Sequence, residues 1–283
     1  MENLDSIPKR QREVIKYITD HPDDIALLTI RELSEILKIN PATIIKACKE
    51  LGYDGFNDLK KHQRVVYRQK KATGYESMLD KLEAEGSLKK KSPLEDTIKA
   101  SLLTDLDVLN RTVAKISWSE IVDVVNIIIK SKRTYIVGLE AARSIAVFLA
   151  AELRTYIPNV QEVIYGSGYL FDYMRHFEKD DVVIGISFGK CIRQTVNAVK
   201  SAQEEGIKTI SITDSELSPL YKYSDISLLT ASSSNSYFSP FIGAMSISMA
   251  ILACCAEMKG EEAIEQLKIV KQQWEEARIY YDE

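Results

Sequence analysis

The spacing of apolar residues changes character along the chain. Over residues 1–75 they recur every three or four positions in short blocks, the period of helices that bury one face. Val14, Ile15 and Ile18 mark a first helix, which Ser6 can cap and which His21-Pro22 ends. Ile30, Leu33, Ile36 and Leu37 form the inner face of a further helix, and Ile44, Ala47 and Leu51 that of the next. Between these two, Lys38-Ile39-Asn40 predicts a tight turn with Ile39 buried inside it. Asn40 caps the following helix, Pro41 occupies its first turn, where a missing N–H costs nothing, and Gly52 ends it. Residues 70–93 lose the pattern; they are polar and close in a lysine run and a proline, the composition of a linker.

From Leu94 the pattern returns in a different form. Ile98, Leu102, Leu106, Leu109 and Val113 follow helical spacing. Ile121, Val124, Val125 and Ile128 do so again, after Ser117 and Glu120 in capping-box positions. Short continuous apolar runs then alternate with helical stretches. Strands are predicted at 134–138, 162–165, 181–187, 208–213 and 226–230, with helices over 141–156, through Val196, Val199 and Ala202 to Gly206, and over 242–258. Continuous apolar strands separated by helices predict a parallel sheet covered on both faces: a doubly wound, flavodoxin-like sandwich of five strands that binds ligands at its carboxyl edge. A last amphipathic helix carries Leu267, Val270, Trp274, Ala277 and Tyr281, to dock on its own domain or on a second subunit. The expected organisation is therefore an all-α unit at 1–75, a linker at 76–93, an α/β domain at 94–259 and a terminal helix at 260–283.

Composition narrows the class. With 45% hydrophobic and 28% charged residues among 283, the chain is ordinary for a globular protein and long enough for two domains. No apolar run approaches the ~18 residues of a membrane span, and the first residues lack a signal-peptide core, so the cytoplasm is expected. Cys48, Cys191, Cys254 and Cys255 make neither a metal-ligand spacing nor a disulfide framework. The net charge of −4 hides an asymmetry: residues 1–71 carry 14 basic and 11 acidic side chains, the rest 23 and 30. Only the helical module is expected to meet a polyanion.

Two short helices joined by a three-residue turn make a helix-turn-helix, in which the start of the second helix enters the major groove. The residues placed there are Asn40, Ala42, Thr43 and Lys46, with Lys49 one turn on. Ala42 and Thr43 suit a thymine methyl, and Lys46 suits guanine or phosphate. Downstream, Lys60, Lys61 and Arg64 suit phosphate contacts.

The string TIRELSEILKINPATIIKACKELGYDGFNDLK (29–60) resembles the bacterial MurR/RpiR family of transcriptional regulators, above all in NPATIIK and LGYDGFNDLK. Members of that family usually carry Ser where this chain has Asn40 and Arg where it has Lys46. The resemblance implies binding to a double-stranded DNA operator, and a C-terminal sugar isomerase (SIS) domain that senses a small molecule. YIVG (135–138), DVVIGISF (181–188) and GIKTISITDSELSPLYKYSDISLLT (206–230) are similar to that domain. Two loops in such domains bind phosphosugars through hydroxyls and free N–H groups. Here the first reads Gly138-Leu-Glu140-Ala-Ala142, with Glu140 and Ala142 in place of a glycine and a serine. The second keeps Ser187 but has Gly189, Lys190 and Ile192 for the usual Ser, Gly and Thr. Lys190 and Arg193 are the candidates to replace the missing hydroxyls, and Ser236 and Ser239 are expected to line the same pocket.

The resemblance thus implies a regulator responding to a sugar phosphate or sugar-like effector, assembled as a homodimer or homotetramer. Two alternatives stand beside it: an active sugar-phosphate isomerase with an accessory domain, and a regulator whose SIS domain only assembles. Isomerisation needs a positioned base, and of His21, His62 and His176 only the last lies in this domain. No catalytic set, metal site or cofactor motif is predicted, and the chain is not expected to be an enzyme.

Overall fold

A computed structural model describes residues 7–71, 79, 93–231 and 241–281. The chain divides into two compact units, Met1–Ser77 and Met78–Glu283.

The first unit contains α1 (Lys9–Asp20), α2 (Pro22–Leu27), α3 (Ile30–Leu37), α4 (Pro41–Glu50) and α5 (Phe56–Lys71). Val14, Ile18, Ile25, Leu33, Ile39, Ile44, Ala47, Cys48, Phe56 and Leu59 form its core. α1 starts after Pro8, which makes no side-chain cap; Ser6, the expected cap, lies outside the described residues. α3 is set by a reciprocal box. The Glu32 N–H donates to Thr29 Oγ1 (3.2 Å), and the Thr29 N–H donates to the Glu32 carboxylate (2.6 Å). Two expected inner residues face out. Ile36 is 52% exposed, because the buried arc of α3 runs through Ile30, Leu33 and Leu37 and leaves Ile36 on its flank. Leu51 is 37% exposed; α4 ends at Glu50, and Cys48 takes the inward place beside Ile44 and Ala47.

The second unit begins with α6 (Leu94–Lys115) and α7 (Trp118–Lys130). β1 (Thr134–Gly138), a 3-10 turn (Glu140–Ala142) and α8 (Arg143–Leu153) follow. Next come β2 (Val160–Val163), α9 (Gly168–Met174), β3 (Val182–Ile186), α10 (Arg193–Glu204) and β4 (Lys208–Thr213). α11 (Pro219–Lys222), β5 (Ile226–Leu229), α12 (Phe241–Lys259) and α13 (Glu261–Glu276) complete it. All strand pairs are parallel, in the order β2-β1-β3-β4-β5. One face is covered by α7, α8 and α12 through Val124, Ile128, Ile145, Leu149, Ile247 and Ile251. The other is covered by α9, α10 and α11 through Leu170, Ala198, Val199 and Leu220. The chain leaves β1 over one face and β3 over the other, so the winding reverses between these neighbours.

β2 starts two residues before its expected position. It pairs Val160 with Thr134, buries Val160 and Val163, and leaves Tyr165 beyond its end and exposed. α8 is shorter than expected at both ends. α12 passes the length and composition test for a membrane span (19 residues, mean hydropathy 1.8), against the expectation that no run would. Its Gly243, Ala244, Ile247, Ser248, Ile251 and Cys255 are buried in the sheet-covering core, which explains the apolar composition. In α13 only Ala263 is buried; Leu267 and Trp274 are 46% and 42% exposed, and Tyr281 lies past the helix end. Among the described residues, the apolar stripe of α13 is therefore left largely open. α6 behaves alike: Val108 and Thr112 are buried, whereas Ile98, Leu102, Leu106 and Val113, whose spacing predicted the helix, are more than half exposed.

Candidate nucleic-acid interface and effector crevice

The turn between α3 and α4 is built by three residues. Lys38 takes the left-handed conformation (φ 53°, ψ 42°) that lets the chain reverse. Ile39 plugs the core, and Ser34 spans the turn, donating from Oγ to the Ile39 carbonyl (2.7 Å) while its own carbonyl accepts the Ile39 N–H (3.2 Å). The Asn40 side chain then accepts the Ala42 N–H at 2.8 Å and starts α4, with Pro41 at its first position. α4 buries Ile44, Ala47 and Cys48 and turns Ala42, Ile45, Lys46 and Lys49 outward. Those four positions are spaced i, i+3, i+4 and i+7, one face of one helix.

Of the predicted DNA contacts, Asn40, Ala42, Lys46, Lys49 and Lys61 are exposed and Thr43 is half-buried. Lys60 is also half-buried, and its ammonium donates to the Leu28 carbonyl, tying α5 to the end of α2. The side chain of Arg64 lies outside the described residues. Sequence reasoning missed Ile45. The signal was present: Ile45 falls outside the arc that Ile44, Ala47 and Cys48 make and shares a face with Ala42 and Lys49, at spacings of three and four.

In the second unit, the loops that end β1 and β3 stand side by side where the winding reverses. Gly138 permits close approach of α8: a Cβ there would lie 2.7 Å from the Ala146 Cβ and 2.8 Å from the Ala142 carbonyl oxygen. Glu140 follows in the left-handed region (φ 53°), its side chain exposed and, among the described residues, without an ion-pair partner. Ala142 is buried and offers no polar group. Two amides of the β3 loop are already engaged. Ser187, buried, accepts the Ile192 N–H through Oγ (3.1 Å), and the Gly189 N–H donates to Asp214 at the end of β4 (3.0 Å). Burial pushes the Asp214 carboxyl above the usual range, against the lowering effect of the amide bonds it accepts. Lys190 and Arg193 are exposed at this edge, and Cys191 places its Sγ 3.2 Å from the Ser218 hydroxyl. Asp214 was not among the predicted site residues, although it sits in the ITD string. Ser236 and Ser239 lie outside the described residues.

His176 is at the other end of the sheet. Its carbonyl accepts from Arg133, which precedes β1 and pairs through two nitrogens with Asp181, which precedes β3 (3.0 and 2.9 Å). A cavity of about 530 Å³ also opens at that amino edge, lined by Lys130, Lys132, Lys179 and Lys208 among others. Lys132 is already paired with Glu178 and Lys208 with Asp225, and the cavity lies away from the switch between β1 and β3.

Comparison with known proteins follows the same division. Residues 2–67 match the helix-turn-helix domain of the rpiR family, and residues 127–258 match the SIS domain. The HTH-type transcriptional regulator YbbH of Bacillus subtilis is 26% identical over 230 residues, covering 80% of this chain and 76% of that protein. An HTH-type transcriptional regulator of Clostridium perfringens is 25% identical over 226 residues, 78% and 76% of the two chains. Among solved structures, the sugar isomerase domain of an RpiR transcription factor from Sphaerobacter thermophilus is 26% identical. It superposes with a TM-score of 0.58 over 60% of this chain and 96% of that one. The NanR protein of Vibrio vulnificus, complexed with ManNAc-6P, has the same fold over 99% of this chain and 97% of its own, at 17% identity and a TM-score of 0.59.

Proposed function

The chain belongs to the RpiR family of helix-turn-helix transcriptional regulators, and on that premise we propose that its SIS domain senses a sugar or sugar-phosphate-like metabolite in the crevice between the β1 and β3 loops. The observation that carries this reading is the placement of those loops. Glu140, Ser187, Gly189 and Lys190 come together at the carboxyl edge where the winding reverses, the position at which open α/β sheets bind ligands. The neighbour with ManNAc-6P supports the same class of effector. Lys190 and Arg193 are the cations available to an anionic group there, and Glu140 is the acceptor for sugar hydroxyls.

DNA is engaged through α4, with Lys61 on the phosphate backbone. One helix-turn-helix reads only a few base pairs, so a two-fold pair of heads is required, and the chain works as a homodimer or a homotetramer. The exposed stripes of α6 (Ile98, Leu102, Leu106, Val113) and α13 (Leu267, Trp274) are the faces offered to the second copy. The protein acts in the cytoplasm and regulates without catalysing. Isomerisation would need a base at the crevice, and His176, the histidine of this unit, lies at the opposite edge beside Arg133.

The test is a thermal-shift screen against phosphorylated sugars, matched free sugars and amino sugars, followed by operator titration with the compound that shifts the transition. A ligand bound only by the folded state raises the melting temperature with its concentration. The expected result is a saturable shift that is reduced in Lys190→Ala and Glu140→Gln, with no turnover of aldose or ketose phosphates. Turnover, or a shift unchanged in both variants, would remove the reading.

A further inference from the structure

The outward face of α4 is not uniformly polar. Ile45 is 38% exposed, one turn after exposed Ala42, with Lys46 and Lys49 beside it. It cannot be an inner residue displaced by chance, because the inner face is already filled by Ile44, Ala47 and Cys48. The loop next to it covers one flank only: Gly55 lies beside Ile45, close enough that a Cβ there would touch the Ile45 Cγ2 at 4.0 Å, and it brings no side chain of its own over the exposed part. The result is a small apolar spot, Ala42 with Ile45, bordered by two lysines on the face of the helix that a helix-turn-helix presents to DNA.

The chemistry of the major groove leaves one counterpart for such a spot. Its edges carry hydrogen-bond donors and acceptors, apart from the C5 methyl of thymine. A buried isoleucine opposite a donor or acceptor would strip it of water without replacing the bond, which costs binding. Opposite a methyl, the same side chain gains by removing apolar surface from water. We propose that Ile45, backed by Ala42, is a specificity-determining residue that reads a thymine methyl in each operator half-site. The lysines on either side hold the helix in register through phosphate or guanine. This rests on the reading of α4 as the helix that enters the groove.

The experiment uses the full-length protein. Binding sites are selected from a pool of random-sequence duplex DNA, and each thymine of the selected site is then replaced singly by deoxyuridine, which removes only the methyl. For the unaltered protein, one deoxyuridine per half-site is expected to weaken binding about four- to fivefold, the effect of one methyl taken out of an apolar contact. The same replacement should cost Ile45→Ala less than about 1.5-fold, while Ile45→Val keeps most of the discrimination. Melting temperatures of both variants, close to that of the parent, establish that they fold. Tolerance of deoxyuridine at every position, or undiminished sensitivity in Ile45→Ala, overturns the assignment of the methyl to Ile45. Failure to enrich any sequence overturns the DNA reading of α4 itself, and the proposal with it.

Discussion

The carboxylate of Asp214 accepts the backbone N–H of Gly189 at 3.0 Å, joining the end of β4 to the loop that ends β3. This amide is one that an anion entering the crevice would compete for. Burial raises the Asp214 pKa, so its ionised form is the less favoured one in the folded protein. The sign follows: stability tied to this group is fully present below the pKa of an unfolded Asp, about 3.9, and is lost as pH rises through the raised folded value. Asp214→Asn, which keeps an acceptor and removes the charge, is expected to melt higher than the parent at pH 7, with the difference vanishing near pH 4. Differential scanning calorimetry across that range reads it directly. The same variant should bind phosphorylated ligands more tightly at pH 7.

Arg133 and Asp181 pin the amino ends of β1 and β3. Asp181 has no exposed side chain and also accepts the Glu178 N–H at 2.8 Å, so removing it strands that amide and leaves the Arg133 guanidinium only Glu178 and the His176 carbonyl. Asp181→Ala is expected to cost about 3 kcal/mol of stability, by denaturant unfolding of the second unit. Lys132→Ala, which loses only an exposed pair with Glu178, is expected to cost less than about 0.5 kcal/mol.

The reading head has its own weak points. Thr29→Ala removes the α3 cap and should destabilise the helical unit by about 1 kcal/mol. Lys38→Gly should stabilise it by about 0.5–1 kcal/mol, since the left-handed turn strains any residue with a Cβ. The two bonds from Thr29 hold the Glu32 carboxyl below its ordinary pKa. Its share of stability is therefore present above about pH 4.3 and lost as pH falls through that lowered value. Thermal melts of the full chain at pH 7 and pH 3 check all three.

Self-association is expected to run through the uncovered stripe of α6. Leu102 is 62% exposed, so Leu102→Glu should leave the fold intact and disrupt only what covers it. Light scattering is expected to give a multiple of the 32.0 kDa chain mass for the parent and a smaller multiple for the variant. Operator affinity should fall with it, since two heads are needed at once.

Periodicity carried most of the architecture. The four inner residues of α7 and the strands β1, β3 and β4 are where apolar spacing placed them, because buried parallel strands and one-sided helices leave strong patterns. β2 was misplaced because an edge strand has few apolar residues, and Ile164-Tyr165 outweighed Val160. For α6 and α13 periodicity predicted the helices and their apolar stripes but left open what covers them, because it records that a face is apolar and is silent on which chain packs against it. In the crevice, loop motifs pointed to Ser187 and Gly189. They could not show that Ser187 spends its hydroxyl on the Ile192 amide, or that Asp214, twenty-five residues after Gly189, caps the loop from the next strand.

Thr112 fixes α6 at one place. Its hydroxyl accepts the Ala231 N–H at 3.0 Å just after β5, and a Cβ on Gly243 in α12 would come within 2.7 Å of the same oxygen. From that pin to Leu94 the helix runs about 27 Å, at about 1.5 Å per residue, with its apolar stripe uncovered. It is a pointer on a pivot: a tilt of about 5° at Thr112 sweeps the Leu94 end through more than about 2 Å, on the same rise per residue. Phe188, in the β3 loop, meets Phe241 edge-on at 5.6 Å, two residues before Gly243. A shift of the β3 loop on ligand binding is therefore expected to reach Thr112 through Phe188, Phe241 and Gly243, and to change the tilt of α6 within its own unit.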